Sequence, residues 1–311
     1  MSLEIDYNHT GWENVVLEEN LDKLNNLFSS GKILNYSELT GGSLNKVYKL
    51  DLSSGNSLVA KISPLWYNSS LLREAWCYMK IKSITDVNVP EVISYTKSEN
   101  PIFPGHEILI TKYIPNRHMS NDEFLTEQTQ KKMGKIIKKI HSIPMKRYGW
   151  LKDNFSGMYE NWFDFLYTID NIDLSVKSGY IEKEEKEWLL EVMSEELNFS
   201  FEPRLIHSDF RIENIIVKNS DFYVIDFQNS FSGDPDYDLG ASIYRNTGLI
   251  NFIHYYTKRQ LNKKILKNIL IYALRHNLTI IGSYVSVENL EKLKISRETF
   301  DRLKEMYMRL D

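Results

Sequence analysis

The stretch His207-Ser-Asp-Phe-Arg-Ile-Glu-Asn214, followed at once by Ile-Ile-Val, constrains this chain more than any other. Twelve residues after Asn214 comes the acid of Val-Ile-Asp-Phe, Asp226. Short apolar runs bounded by Asp and Asn read as strands joined by tight polar turns. If Ile215-Ile-Val and Tyr223-Val-Ile form a hairpin, Asn214 and Asp226 come together. The polar set then has two readings. It consists of ordinary turn residues, or it is the floor of a site for metal and phosphate.

A chain of 311 residues can form one large domain or two modest ones. Apolar residues at 42%, with 19 Tyr, 14 Phe and 6 Trp, supply a sizeable core and argue against disorder. The net charge of −4 gives no sign of a nucleic-acid surface, so no nucleic-acid partner is expected. Cys77 is the sole cysteine, which excludes an intrachain disulfide and a cysteine-rich zinc site. The acidic start lacks a signal-like apolar run, and no run approaches the roughly 20 apolar residues of a membrane span. A cytoplasmic protein without a membrane partner is expected, as monomer or homodimer.

Leu17, Leu21, Leu24 and Leu27 predict a helix over 13–30. Residues 36–62 read as an antiparallel meander, with a glycine turn near 41 and a polar turn at 51–56. Asn68-Ser-Ser offers caps for a helix from Leu71, and 89–95 and 106–113 read as further strands. From 125 onward helices dominate, among them one striped by Met133, Ile136, Ile137 and Ile140. The boundary is placed near 112–117. The fold class expected is α+β: a small sheet-rich lobe over 1–112, a hinge at about 109–116, and a larger helical lobe over 117–311.

Asp209 and Asn214 can stand at the two ends of one short loop. Oxygens from Asn214 and Asp226 suit Mg²⁺, a hard ion that keeps waters and bridges phosphates. Asp209 can accept a proton from a hydroxyl, an arrangement that serves phosphoryl transfer; the competing reading is a capped turn. Gly41, Gly42 and Ser43 lie where backbone N–H groups can approach phosphate oxygens, or where an ordinary hairpin turn stands. No Gly-Lys-Ser/Thr follows, so this is not a P-loop. Lys61 shares a strand face with Val59 and has Glu74 on the next helix as a potential partner; an edge-strand lysine is the plainer alternative. His207 reads as structural. Arg211 can reach a transferring phosphate or pair with Glu213 or Glu74. Asp238 reads as a helix N-cap or a brace for the 207–214 loop.

Taken in order, these signals resemble the protein-kinase-like fold. Within it they resemble the aminoglycoside phosphotransferase and choline kinase group, over roughly residues 36–245. His-x-Asp-x₄-Asn is met by His207, Asp209 and Asn214, and the second metal acid by Asp226. Gly-Asp-Pro-x-x-Asp-Leu is met by Gly233, Asp234, Pro235, Asp238 and Leu239. The resemblance implies Asp209 as catalytic base, Asn214 and Asp226 as Mg²⁺ ligands, Lys61 on the nucleotide phosphates and Glu74 as its partner. It implies a hinge at Leu109–Ile114, including Thr111 and Tyr113, that reads the purine of ATP or GTP. The adenine is expected near Val47 and Val59. Many relatives have Gly where Ser208 and Glu213 stand here.

The acceptor is expected to be a small hydroxyl-bearing molecule. Candidate contacts are Glu213, Trp162, Asp164 and Tyr244, together with Asp170, Asp173, Tyr255 and Tyr256. Carboxylates suit polyamines and an aromatic box suits a quaternary ammonium. An aminoglycoside or related cationic antibiotic is the first expectation. A choline-like alcohol, a metabolic sugar, or a nucleotide-binding protein that no longer transfers phosphate are the alternatives.

Overall fold

Strict alternation builds the first sheet. In 46–52 the residues Tyr48, Leu50 and Leu52 are buried, and in 57–62 so are Leu58, Ala60 and Ile62. A period of two turns one face of each strand to a core and leaves the other for different work.

A computed structural model describes residues 17–39, 45–65, 70–97, 103–115, 117–152, 154–167, 170–245, 250–257, 262–286 and 288–310. In chain order these form α1 (Leu21–Leu24), β1 (Ile33–Glu38), β2 (Lys46–Leu52), β3 (Ser57–Ile62), α2 (Ser70–Ile84), β4 (Val92–Thr96), β5 (Ile108–Lys112), β6 (Arg117–His118), α3 (Asn121–Phe124) and α4 (Glu127–Ile140). Then come β7 (Tyr148–Leu151), β8 (Gly157–Tyr159), α5 (Trp162–Tyr167), α6 (Asp170–Lys177), α7 (Lys183–Glu196), β9 (Arg204–Ile206), β10 (Ile215–Lys218), β11 (Asp221–Val224) and β12 (Phe231–Gly233). The last are α8 (Asp236–Arg245), α9 (Ile250–Thr257), α10 (Lys263–Ser286) and α11 (Leu290–Met308). Two units result: Met1–His118 with Ile215–Asn229, and Met119–Asn214 with Ser230–Asp311.

The first unit holds an antiparallel sheet in the order β1-β2-β3-β5-β4. Its buried face packs Leu50, Leu58 and Ile62 on Leu17, Leu24 and Phe103, each large side chain contributing about 1.5–3 kcal/mol of burial. The helix expected over 13–30 is instead one turn flanked by 3₁₀ turns from residue 18 on, with 13–16 outside the described residues. The side chain of Asn25 accepts from Ile33 N–H at 2.8 Å, a use of Asn that competes with helix. The division near 112–117 also misses a piece. β10 and β11 belong with the first unit, because β10 pairs with β6 through Ile216–His118 and Val217–Arg117.

The second unit is mainly helical, with a four-stranded sheet β8-β7-β12-β9. α10 is buried along most of its length and carries α8, α11 and α6. A Cβ on Gly240 would lie 2.7 Å from Ala273 N, so the α8–α10 crossing requires glycine there. Trp162, Phe165, Phe231 and Tyr237 form an aromatic core with ring centroids 4.9–6.3 Å apart. No described helix is long and apolar enough to cross a membrane.

Candidate active site

The face of the first sheet turned away from its apolar core carries the expected nucleotide residues. The register sets Val47 opposite Lys61 and Val59 opposite Thr111, so all four stand on one face. β5 lies between β3 and β4, which takes up the backbone of 108–112, and Tyr113 N–H donates to Ser57 at 3.1 Å. The strand backbone of 108–112 and the Tyr113 N–H are therefore committed to the sheet. Gly41, Gly42 and Ser43 lie outside the described residues.

Lys61 lies between two acids. Its Nζ is 2.7 Å from Glu74 Oε2 and 2.7 Å from Asp226 Oδ1. Burial alone would lower the lysine, but the charges of Asp226 and Glu74 outweigh it and hold the ammonium above its ordinary range. Burial, together with Asp226, pushes Glu74 up, against the pull of Lys61. Glu74 also accepts the phenol of Tyr78 at 2.6 Å, and burial beside that carboxylate keeps the phenol neutral and donating. α2 itself is set by Glu107, a buried acid that accepts from Leu71 N–H at 2.8 Å in the helix's first turn.

β10 and β11 form the anticipated hairpin, with Ile215 opposite Val224. Asn214, one residue before that pair, and Asp226, two residues after it, leave the same end of the hairpin. Asp226 adopts φ +68°, a left-handed conformation that a non-glycine residue keeps only when its surroundings over-determine it.

In the second unit, Asn214 closes the loop on Asp209. Its amide nitrogen donates to the Asp209 carbonyl at 2.8 Å and to its carboxylate at 3.0 Å, which leaves the amide oxygen as the group suited to a cation. Arg211 Nε lies 3.1 Å from Asp209 and 3.8 Å from Glu213. Asp238, wholly buried in the first turn of α8, braces the loop. It accepts from the N–H groups of His207 at 2.8 Å and Ser208 at 2.6 Å. The structure thus selects the brace over the N-cap reading. His207 lies 3.2 Å from the Asp209 N–H through Nδ1, and Ser208 stands at φ +67°. Glycine would adopt that conformation without steric penalty.

Sequence reasoning missed His141, whose Nε2 is 2.8 Å from Asp238 and whose Nδ1 meets the Tyr256 hydroxyl at 2.9 Å. The signal was present: His141 continues the buried Met133–Ile137 stripe at helical spacing, and a polar residue on a core stripe requires a partner. It also passed over Asp236. Burial, reinforced by Asp234, pushes the Asp236 carboxyl up to about 7, and Asp234 accepts the Tyr272 phenol at 2.8 Å.

The four expected acceptor contacts do not converge. Trp162 is fully buried in the aromatic core and donates to Tyr272 at 2.9 Å. Tyr244 is buried, with its hydroxyl 3.3 Å from Ser296. Asp164 is exposed and takes part in a local turn with Asn161, and Glu213 is exposed beside Arg211. The aromatics of this stretch went to the core because a ring buries more apolar area there than on an open wall.

The sequence profile of the Phosphotransferase enzyme family (APH) matches residues 35–264. No curated protein matches the sequence. Among solved structures, aminoglycoside phosphotransferase APH(4)-Ia in a ternary complex with ADP and hygromycin B is similar, at 16% identity. That alignment covers 91% of this chain and 97% of the other, with a TM-score of 0.71. Amicoumacin kinase hAmiN with AMP-PNP, Ca²⁺ and Ami gives 14% identity, 94% and 96% coverage, and a TM-score of 0.68. A Thermobifida fusca YX-ER1 protein provisionally designated fructosamine-3-kinase gives 14%, 93%, 99% and 0.68. At such identities the likeness is one of fold, and that fold is protein-kinase-like.

Proposed function

The chain belongs to the phosphotransferase enzyme family and is a small-molecule kinase, and from that premise we propose that it moves the γ-phosphate of ATP to a hydroxyl of a small cationic molecule, aminoglycosides first among them. The observation that carries the reading is Lys61 held at 2.7 Å by both Glu74 and Asp226. A buried ammonium kept charged by two acids is poised to donate to phosphate oxygens once an anion competes for it.

The roles follow from the chemistry of each side chain. Asp209, with the Asn214 amide on its carboxylate, orients the acceptor hydroxyl and takes its proton. Lys61 grips the donor phosphates, and Arg211 offsets charge on the transferred group. Asn214 would offer an amide oxygen and Asp226 a carboxylate, hard-oxygen donors of the kind that suit Mg²⁺. Those residues would hold Mg²⁺, whose charge would offset that of the donor phosphates. ADP and AMP-PNP in the relatives favour ATP over GTP as donor.

For the cationic acceptor the candidates are the neighbouring acids Asp234 and Asp236 at the start of α8. An ammonium brought beside them would offset the charge that burial disfavours there. Hygromycin B and Ami in two of the similar structures support an antibiotic acceptor, while the structure designated fructosamine-3-kinase keeps a sugar as the alternative. The test is a coupled nucleoside-diphosphate release assay with Mg²⁺, ATP or GTP, and a panel of aminoglycosides, other antibiotics, choline-like alcohols and sugars. Turnover with one cationic class, lost in Asp209→Asn, supports the reading. Turnover with neutral or anionic acceptors alone overturns the cationic assignment.

A further inference from the structure

We propose that Tyr78 is a positioning residue for the acid Asp226: its hydroxyl, anchored on Glu74, holds the left-handed turn from which the Asp226 carboxylate is presented. The inference rests on the reading that Asp226 serves Mg²⁺.

Tyr78 stands four residues after Glu74 on α2, so the two side chains share a helix face. That face grips the segment after β11 at successive points. Arg73 Nη1 donates to the Gln228 carbonyl at 2.7 Å, and the Tyr78 ring meets Phe227 edge-on at 5.7 Å. The Tyr78 hydroxyl accepts from Asp226 N–H at 3.1 Å while donating to Glu74 Oε1 at 2.6 Å. The β10–β11 ladder has ended by then, its last pair being Ile215–Val224. A turn residue at φ +68° has left the ladder that would otherwise take its N–H. Tyr78 supplies that partner from a site only 3% exposed, where bulk water is a poor substitute.

Only a group that donates and accepts at once can complete this chain, from amide to phenol to carboxylate. Phenylalanine keeps the ring against Phe227 and loses both bonds. Tyr78 touches neither phosphate nor acceptor in this scheme. It fixes where the Asp226 oxygens point, as outer-shell partners do for metal ligands.

The test uses the full-length protein and Tyr78→Phe, with ADP binding measured by calorimetry with Mg²⁺ and with EDTA. The wild type should bind ADP more tightly with Mg²⁺. Tyr78→Phe should cut that Mg²⁺-dependent gain roughly tenfold and leave binding in EDTA unchanged. A purely structural role would weaken both together. Independently of the variant, native-state exchange in the ligand-free wild type should show a protected Asp226 amide. An unprotected Asp226 amide overturns the inference, and so does a folded Tyr78→Phe protein with an unchanged Mg²⁺ gain. A wild type with no Mg²⁺ gain at all overturns the metal reading itself, and this inference with it.

Discussion

Lys61 and Asp226 form an ion pair at 2.7 Å in which the lysine side chain is only 14% exposed. Glu74 holds the same ammonium, so one positive charge serves two acids. The arrangement is stable only while the cation is present.

Lys61→Met should therefore cost stability as well as activity. It leaves Glu74 and Asp226 facing each other, and removing one partner of a buried pair costs about 3 kcal/mol. The sign with pH is fixed. The folded lysine pKa is raised, so its contribution is complete below the unfolded lysine value and fades only as pH climbs through the folded one. The wild-type contribution is thus constant from about pH 6 to 9. In the variant the paired acids repel, and protonation relieves them. Thermal melts should show a larger deficit at pH 8 than at pH 5. An equal deficit at both would contradict the two-acid picture.

Ser208→Gly and Asp238→Ala should move in opposite directions. Ser208 sits at φ +67°, where glycine carries no steric penalty, so the glycine variant should gain about 1 kcal/mol. Asp238→Ala strands two backbone N–H groups and the His141 ring in a dry interior. At about 1–3 kcal/mol for each orphaned group, it should unfold well below the wild type. Denaturant titration reads both. Asp238→Ala melting like the wild type would show that the loop does not depend on its brace.

How legible these features were depended on how local they are. The sheet and hairpin were readable because the alternation of β2 and β3 and the apolar run of β10 belong to short contiguous stretches. Asp238 read equally as a cap or a brace, because its contacts with the His207 and Ser208 N–H groups are distant in sequence. His141 announced its burial by continuing the 133–137 stripe, but its partner lies 97 residues away and no local pattern names that partner. Trp162 illustrates an ambiguity of another kind. A tryptophan in a helical lobe reads equally as pocket wall or core, and only packing against Phe165, Phe231 and Tyr272 decides. The assignment of 215–229 to the first unit was hidden for the same reason, since strand pairing to 117–118 spans the whole intervening chain.

Asp236→Asn should stabilise the protein at neutral pH. Burial and the Asp234 charge hold the folded Asp236 pKa near 7, above its unfolded value. Below about pH 4 both states are protonated and the group contributes nothing. As pH rises through 7 the folded state must carry a charge it disfavours, and stability falls. The asparagine removes that penalty, on the order of 2 kcal/mol at pH 8 and near zero at pH 4. Melts across that range check the prediction. A gain that does not vary with pH would assign the effect to packing.

Glu185 gives the complementary case at the acid end. Arg297 meets it through two nitrogens at 2.5 and 2.9 Å, and Lys304 adds a third contact at 3.3 Å. The Arg297 hydrogen bonds hold the Glu185 carboxyl down at about 2, against a smaller push from burial. A depressed folded pKa gives stability that is full above the unfolded value near 4.5 and is lost as pH falls toward 2. The cluster joins α7 to α11 and is partly open to solvent, so its worth is on the order of 1 kcal/mol after screening. Arg297→Met should lower the melting temperature by a few degrees at pH 7, by about the scaling expected for a chain of this size. The gap to the wild type should close as pH is taken from 5 to 2.5, and 1 M salt at pH 7 should narrow it too. A gap that is insensitive to both would place the loss in the packing of the Arg297 stem on Phe300, whose ring centre lies 5.3 Å from the guanidinium carbon.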